Sequence, residues 1–170
     1  TTRCTSSAAS DVYKRQNTRT HETDKSGKKL SEMISNDGHV IVTKEIVKDD
    51  IYAIRKVASD FILNKEIDSI ILSGGTGITG SDGTPEAIEP LLDKIIDGFG
   101  ELFRLKSFEK IKTSSLQSRA LAGVANKTFI FVLPGSIDAC KTAWNEIICH
   151  QLNSDTNPCN LVMLMPRLKE

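Results

Sequence analysis

Long apolar runs, a metal-binding pattern of cysteine and histidine, and a net charge are all missing from this 170-residue chain. The longest apolar stretches are short, such as Phe129-Ile130-Phe131-Val132-Leu133. None approaches the ~20 residues that span a bilayer, so no membrane partner is expected. Lysine plus arginine and aspartate plus glutamate balance at 22 each, which leaves no field to draw the protein to nucleic acid. Cys4, Cys140, Cys149 and Cys159 show no C-x-x-C spacing and no zinc arrangement with His21, His39 or His150. Scattered cysteines of this kind indicate a reduced, cytoplasmic protein. No apolar core follows the basic residues near the start, so no signal peptide is predicted. Triad spacing and a G-x-S-x-G elbow are lacking too, which leaves serine hydrolase chemistry unsupported.

What is present is one domain's worth of alternating helix and strand signals. Residues 1 to about 16, TTRCTSSAASDVYKRQ, carry no helix or strand period and read as a disordered or non-native leader, with residues 17–170 forming the domain. No role is given to Cys4. Thr23 or Asp24 can cap a helix with Leu30, Met33 and Ile34 on one face, stopping at Gly38. A β-branched run follows to Val47, and Asp49 or Asp50 caps a helix with Ile51, Ile54, Val57, Ala58, Phe61 and Ile62 in helical rhythm. Ile67 to Leu72 is a short buried strand. A helix beginning at Pro85 is predicted to present Ile88, Leu91, Leu92, Ile95 and Ile96. Residues from Phe99 to Ile111 give no clear signal, and a short helical piece follows around Leu116 to Arg119. Asn126-Lys127 marks a hairpin between Leu121–Ala125 and Thr128–Leu133. Ser136 caps a last long helix, with Trp144 at a helical spacing that favours the core over a stacking role. Strands alternating with helices predict an α/β fold with a mainly parallel sheet covered on both faces, made mixed by the hairpin.

The chemistry sits between the buried strand and the helix at Pro85, in Ser73-Gly74-Gly75-Thr76-Gly77-Ile78-Thr79-Gly80. Glycines allow positive φ and a close approach of backbone to ligand, and loop amides beside a helix start suit a phosphate. Gly75-x-Gly77-x-x-Gly80 formally matches the dinucleotide fingerprint, which keeps an NAD-dependent oxidoreductase as one alternative. Ser81 to Pro85 delay the helix, however, and the motif does not stand in the first βα unit. No Lys-Ser/Thr pair follows Gly80, so the Walker pattern fails. Asp82 beside an anion site would repel phosphate unless Mg²⁺ stood between them, and Asp49 at another strand end is a second candidate for that ion. The plain readings are a solvated loop acid for Asp82 and a helix cap for Asp49. Pro134-Gly135-Ser136 repeats the strand, turn and capped-helix design, with a plain N-cap as the simpler account of Ser136. Arg104, Lys106, Arg119 and Lys127 are candidates for neutralising ligand phosphates.

Leu72-Ser73-Gly74-Gly75-Thr76-Gly77 with Asp82 and Thr84-Pro85-Glu86-Ala87 resembles the core motif of the MoaB/MogA molybdopterin-binding family. GFGELFRLKSFEKI, TSSLQSRALAGVANKTFIFVLPGS and ACKTAWNEII look like its molybdenum cofactor biosynthesis protein B branch. The resemblance runs from about Asn17 to Pro158. It implies a three-layer α/β/α sandwich assembling as a homotrimer or hexamer, and an adenylyltransferase that activates molybdopterin with MgATP. A non-catalytic molybdopterin-binding protein of the same pathway is the alternative. Carried over, Gly74, Gly75, Thr76 and Gly77 hold the pterin phosphate region and Pro134, Gly135 and Ser136 line the same pocket. Asp49 and Asp82 match the family's two functional acids for Mg²⁺ and nucleotide, and Ser26 contacts ligand from an N-terminal loop. The departure is at the front. The family carries a strand before its Thr-Arg-Thr loop, and no strand is legible before Thr18-Arg19-Thr20 here.

Overall fold

The computed structural model describes residues 3–9 and 24–169. Its centre is a six-stranded mixed sheet of order β2-β1-β3-β6-β5-β4. The strands are β1 (Arg3–Ala9), β2 (Val40–Val47), β3 (Ser69–Ser73), β4 (Lys94–Ile95), β5 (Leu121–Ala125) and β6 (Thr128–Leu133). β1 runs parallel to both β2 and β3, and β3 parallel to β6. β5 turns back antiparallel to β6 and carries β4 on its outer edge.

Strand alternation builds the two faces. On β3, Ile71 faces one core while Ile70 and Leu72 face the other. On β6, Phe129, Phe131 and Leu133 join Ile71, whereas Ile130 and Val132 join Ile70. The first face is covered by α1 (Lys25–Asn36), α4 (Asp97–Ile111) and a helical segment made of α5 (Ile137–Ala143), a π-helical turn (Trp144–Ile148) and α6 (Cys149–Gln151). The second is covered by α2 (Ile51–Leu63) and α3 (Thr84–Ile88). Continuous apolar runs on β3 and β6 are what a sheet buried on both faces requires, and the result is the three-layer α/β/α sandwich.

Local signals explain most boundaries. Asp24 caps α1 by accepting from the Gly27 amide at 2.9 Å, and Gly38, at φ 80°, ends the segment. Asn126 and Lys127 both take positive φ, 45° and 75°, in the two-residue hairpin turn between β5 and β6. Ser136 caps α5 by accepting from Ala139 N at 3.2 Å.

Two expectations are corrected, and a stretch without a clear signal is resolved. Arg3–Ala9, read as part of a leader outside the fold, forms β1 between β2 and β3. A strand flanked on both sides is held by backbone ladders, which a Ser/Thr/Ala-rich composition does not advertise. The Thr18-Arg19-Thr20 loop and the Thr23 cap lie outside the described residues. The helix at Pro85 does not reach Ile96. It ends at Ile88, passes through a 3₁₀ turn (Glu89–Leu91) containing Pro90, and becomes extended at Leu92 before β4. Proline restricts the residue before it and lacks an N–H, so the α-helical ladder stops there. The illegible stretch is the 15-residue α4, with Gly98 and Gly100 inside it. Gly100 packs against the Ala120 carbonyl, where a Cβ would come within 2.7 Å of that oxygen. That contact gives Gly100, a helix-weakening residue, a tertiary reason. The helical segment after Ser136 contains a π turn (Trp144–Ile148), and a short α7 (Leu161–Leu164) follows.

Candidate functional site

The glycine loop leaves the carboxyl end of β3, and the Pro134-Gly135-Ser136 turn leaves the carboxyl end of the adjacent parallel strand β6. Gly74 N donates to Leu133 O at 2.8 Å, which ties the start of one loop to the start of the other. Ligand crevices of parallel sheets lie at such carboxyl ends. Gly74 and Gly75 take φ of 111° and 64°. At Gly75 a Cβ would collide with Thr84 Oγ1 and would stand 3.3 Å from Asp49 Oδ1. The absence of a side chain there is therefore a packing requirement as well as a conformational one.

The far side of the loop is closed by Asp82. Its Oδ2 accepts from Thr79 N at 2.9 Å and from Thr79 Oγ1 at 2.5 Å, and Asp82 N donates to Thr79 O. A Cβ on Gly77 would lie 2.6 Å from the same carboxylate oxygen. Arg119 then braces the loop from behind. Its Nε donates to Gly77 O at 2.7 Å, its Nη2 to Asp82 O at 2.8 Å, and its backbone N–H to Thr76 O at 3.2 Å. Its remaining Nη1 pairs with the Glu86 carboxylate. Partial burial alone would raise the Glu86 pKa, but the Arg119 hydrogen bond, its own backbone N–H and the guanidinium charge outweigh that and hold it below the ordinary 4.5.

Between the two loops and α4 lies a cavity of about 450 Å³. Thr76, Gly77 and Asp82 line it from the glycine loop, and Pro134, Gly135 and Ser136 from the β6 turn. Six of the ten predicted site residues thus share one cavity. Gly74 and Gly75 sit behind it and shape the loop. Asp49 is beside Gly75 rather than on the cavity wall, and Asp50, not Asp49, caps α2 through Ala53 N at 2.8 Å. The capping explanation for Asp49 is thereby removed. Ser26 is buried in the first turn of α1 and does not line the cavity.

The other wall was not legible. Phe103, Ser107 and Lys110 reach the cavity from α4, Gln117 and Ser118 from the 3₁₀ turn after it, and Thr142 from α5. The clustered hydroxyls of TSSLQS were the only hint, and without α4 they had no place. Of the four cations considered, none lines the cavity. Arg119 braces the loop, Arg104 reaches Ala120 O at 3.4 Å, and Lys106 pairs with Glu109 at 3.6 Å. Lys127 lies in the hairpin turn, at the end of β6 remote from the site.

Among the described residues no group of three or more His, Cys, Asp or Glu side chains is placed to hold a metal. Asp49 and Asp82 offer hard carboxylate oxygens, each beside a glycine with no side chain to crowd it. That donor chemistry fits Mg²⁺, which is commonly held by one or two carboxylates together with substrate phosphates. No helix among the described residues is long and apolar enough to cross a membrane.

With that geometry in view, the chain matches, over residues 8–154, a family model described as "Probable molybdopterin binding domain". It is 50% identical over 154 residues to "Molybdenum cofactor biosynthesis protein B" of Escherichia coli (strain K12), covering 91% of this chain and 89% of the relative. The protein of the same description from Bacillus subtilis (strain 168) is 44% identical over 136 residues, covering 79% and 80%. A crystal structure of molybdenum cofactor biosynthesis protein B superimposes with TM-score 0.85 at 37% identity, covering 99% of this chain and 96% of that one. The tungsten cofactor synthesizing protein MoaB from Pyrococcus furiosus superimposes with TM-score 0.72 at 33% identity, covering 86% and 90%.

Proposed function

The chain belongs to the molybdopterin-binding domain family of molybdenum cofactor biosynthesis, and on that basis we propose that its cavity binds molybdopterin and adenylylates it with MgATP. The observation that carries this reading is the meeting of two strand-end loops at one cavity, the glycine loop through Thr76 and Gly77 and the β6 turn through Pro134 to Ser136. The glycine loop receives a phosphate group close to backbone, and the cavity is of a size suited to a small-molecule ligand. In the transfer, an oxygen of the pterin phosphate attacks the α-phosphorus of ATP. The bond from that phosphorus to the bridging oxygen breaks, and pyrophosphate leaves. Asp49 and Asp82 would hold Mg²⁺, which when bound would supply charge neutralisation for the phosphates. The chain itself contributes positioning: Arg119 and Asp82 hold the loop in shape before ligand arrives, so little reorganisation is spent on binding.

A second reading, a non-catalytic molybdopterin-binding protein, is favoured by one observation. Asp82 Oδ2 is already engaged by Thr79, and Asp49 stands off the cavity wall. Purified protein incubated with molybdopterin and MgATP separates the two. Pyrophosphate together with adenylyl-molybdopterin by mass supports the transferase; molybdopterin binding without either product leaves only the binding role.

The same reading includes a cytoplasmic location and a homotrimer or hexamer. Support for assembly comes from α4, which buries Phe99, Phe103 and Ser107 yet leaves Leu105 and Phe108 exposed away from the cavity. Exposed large apolar side chains one helical turn apart are the kind of patch that a second copy covers.

A further inference from the structure

Lys110 is the only lysine or arginine among the described residues lining the 450 Å³ cavity, whose carboxylates are Asp82 and Asp138. Lys141 stands 3.7 Å from Asp138 Oδ1 without lining the cavity, so apart from Lys110 no lining cation among the described residues faces an entering phosphate. Among the described residues, the nearby arginines and Lys106 are committed elsewhere. Arg119 holds three loop carbonyls and Glu86, Arg104 turns to Ala120 O, and Lys106 pairs along its own helix.

Lys110 occupies the last turn of α4, and its Nζ donates to Thr142 Oγ1 at 3.0 Å across the cavity wall. Thr142 is buried on α5 and lines the same cavity, so the tether holds the ammonium at that wall. Glu146 Oε1 stands 3.9 Å away, at the outer limit of an ion pair. An ammonium has three donors, and this geometry uses one of them well.

We infer that Lys110 is a phosphate-binding residue, whose ammonium, seated on Thr142, takes a phosphate group of the ligand in this cavity. The inference deepens the proposed function and rests on it. The phosphate is either that of molybdopterin or one of the ATP triphosphate, and the shared chemistry is a phosphate ester met by a flexible point charge.

Calorimetric titration of wild type, Lys110→Met and Lys110→Arg with molybdopterin alone and with ATP alone tests it, at low and high salt. Biopterin and adenosine serve as the phosphate-free counterparts. Lys110→Met should weaken one phosphate ligand roughly tenfold and flatten its salt dependence, the scale of one charged hydrogen bond. Lys110→Arg should restore most of the loss, and the phosphate-free counterpart should bind all three proteins alike. Loss with molybdopterin assigns the contact to the pterin phosphate; loss with ATP assigns it to the nucleotide. Unchanged affinity for both, or equal loss for the phosphate-free compound, overturns the inference while the functional reading stands. Wild type binding neither molybdopterin nor ATP overturns the functional reading and the Lys110 role with it.

Discussion

Asp49 Oδ1 lies 3.3 Å from the point where a side chain on Gly75 would begin, and Thr84 Oγ1 crowds the same point more closely still. Three elements, the end of β2, the turn after β3 and the start of α3, therefore converge on a residue that has no room to be anything but glycine. Gly75→Ala should cost about 1–3 kcal/mol from the positive-φ backbone alone, with steric displacement of Thr84 added. Thermal unfolding measures the stability loss. Calorimetric titration should show molybdopterin affinity falling with it, whereas Gly80→Ala, which meets nothing within 4 Å, should leave both near wild type.

The brace formed by Arg119 makes a separate prediction. Arg119→Met removes donors from the carbonyls of Gly77 and Asp82 and leaves Glu86 without its partner. A loss of about 1–3 kcal/mol in unfolding free energy is expected, at the lower end because the pair is partly solvated. Proteolysis should cut sooner between Thr76 and Asp82 in the variant. A lysine ammonium would supply charge without the planar fork, so Arg119→Lys should recover little.

Glu86 carries the acid response of that brace. Its pKa is lowered in the folded protein, so its stabilising contribution is present above the unfolded value and is lost as pH falls through the folded one. The sensitive window therefore lies below the ordinary value of 4.5. Melting temperature recorded on descending through that range should drop more steeply in wild type than in Glu86→Gln. Parallel curves for the two proteins would remove Glu86 from the account.

The two acids are separable by what each does to the loop. Asp49→Asn should lower adenylyl transfer roughly a hundredfold, the scale of a lost electrostatic group, while sparing molybdopterin binding. Asp82→Asn should lower transfer similarly and also weaken binding several-fold, because Asp82 shapes the loop through Thr79. Product quantification with parallel titrations checks both. Unchanged turnover in either variant would remove that residue from the transfer chemistry.

The exposed Leu105 and Phe108 of α4 predict a mass. Phe108→Glu places a charge on an exposed apolar surface that a second copy would otherwise cover. Wild type should sediment as a trimer or hexamer and the variant as a smaller species with an unchanged far-ultraviolet circular dichroism spectrum. A monomeric wild type would end the assembly proposal.

Much of this molecule was legible without coordinates. The β-branched run of β2, the apolar blocks of β3 and β6, the Asn126-Lys127 turn and the caps at Asp24 and Ser136 are local signals, each set by a few neighbouring residues. So is the glycine loop, because positive φ and close backbone approach are demands that only glycine meets cheaply. What tertiary structure alone decided is of another kind. β1 is a strand because β2 and β3 hydrogen-bond to both its sides, which no property of Arg3–Ala9 foretells. α4 carries glycine at position 100 because that residue must lie against Ala120 O, a contact far along the chain. The role of Arg119 was invisible for the same reason. A guanidinium on the surface and one threaded behind a loop have the same sequence, and only the folded chain brings Gly77, Asp82 and Glu86 within its reach. Local propensity determined the elements and the loop chemistry; contacts distant in sequence decided which side chains face the cavity.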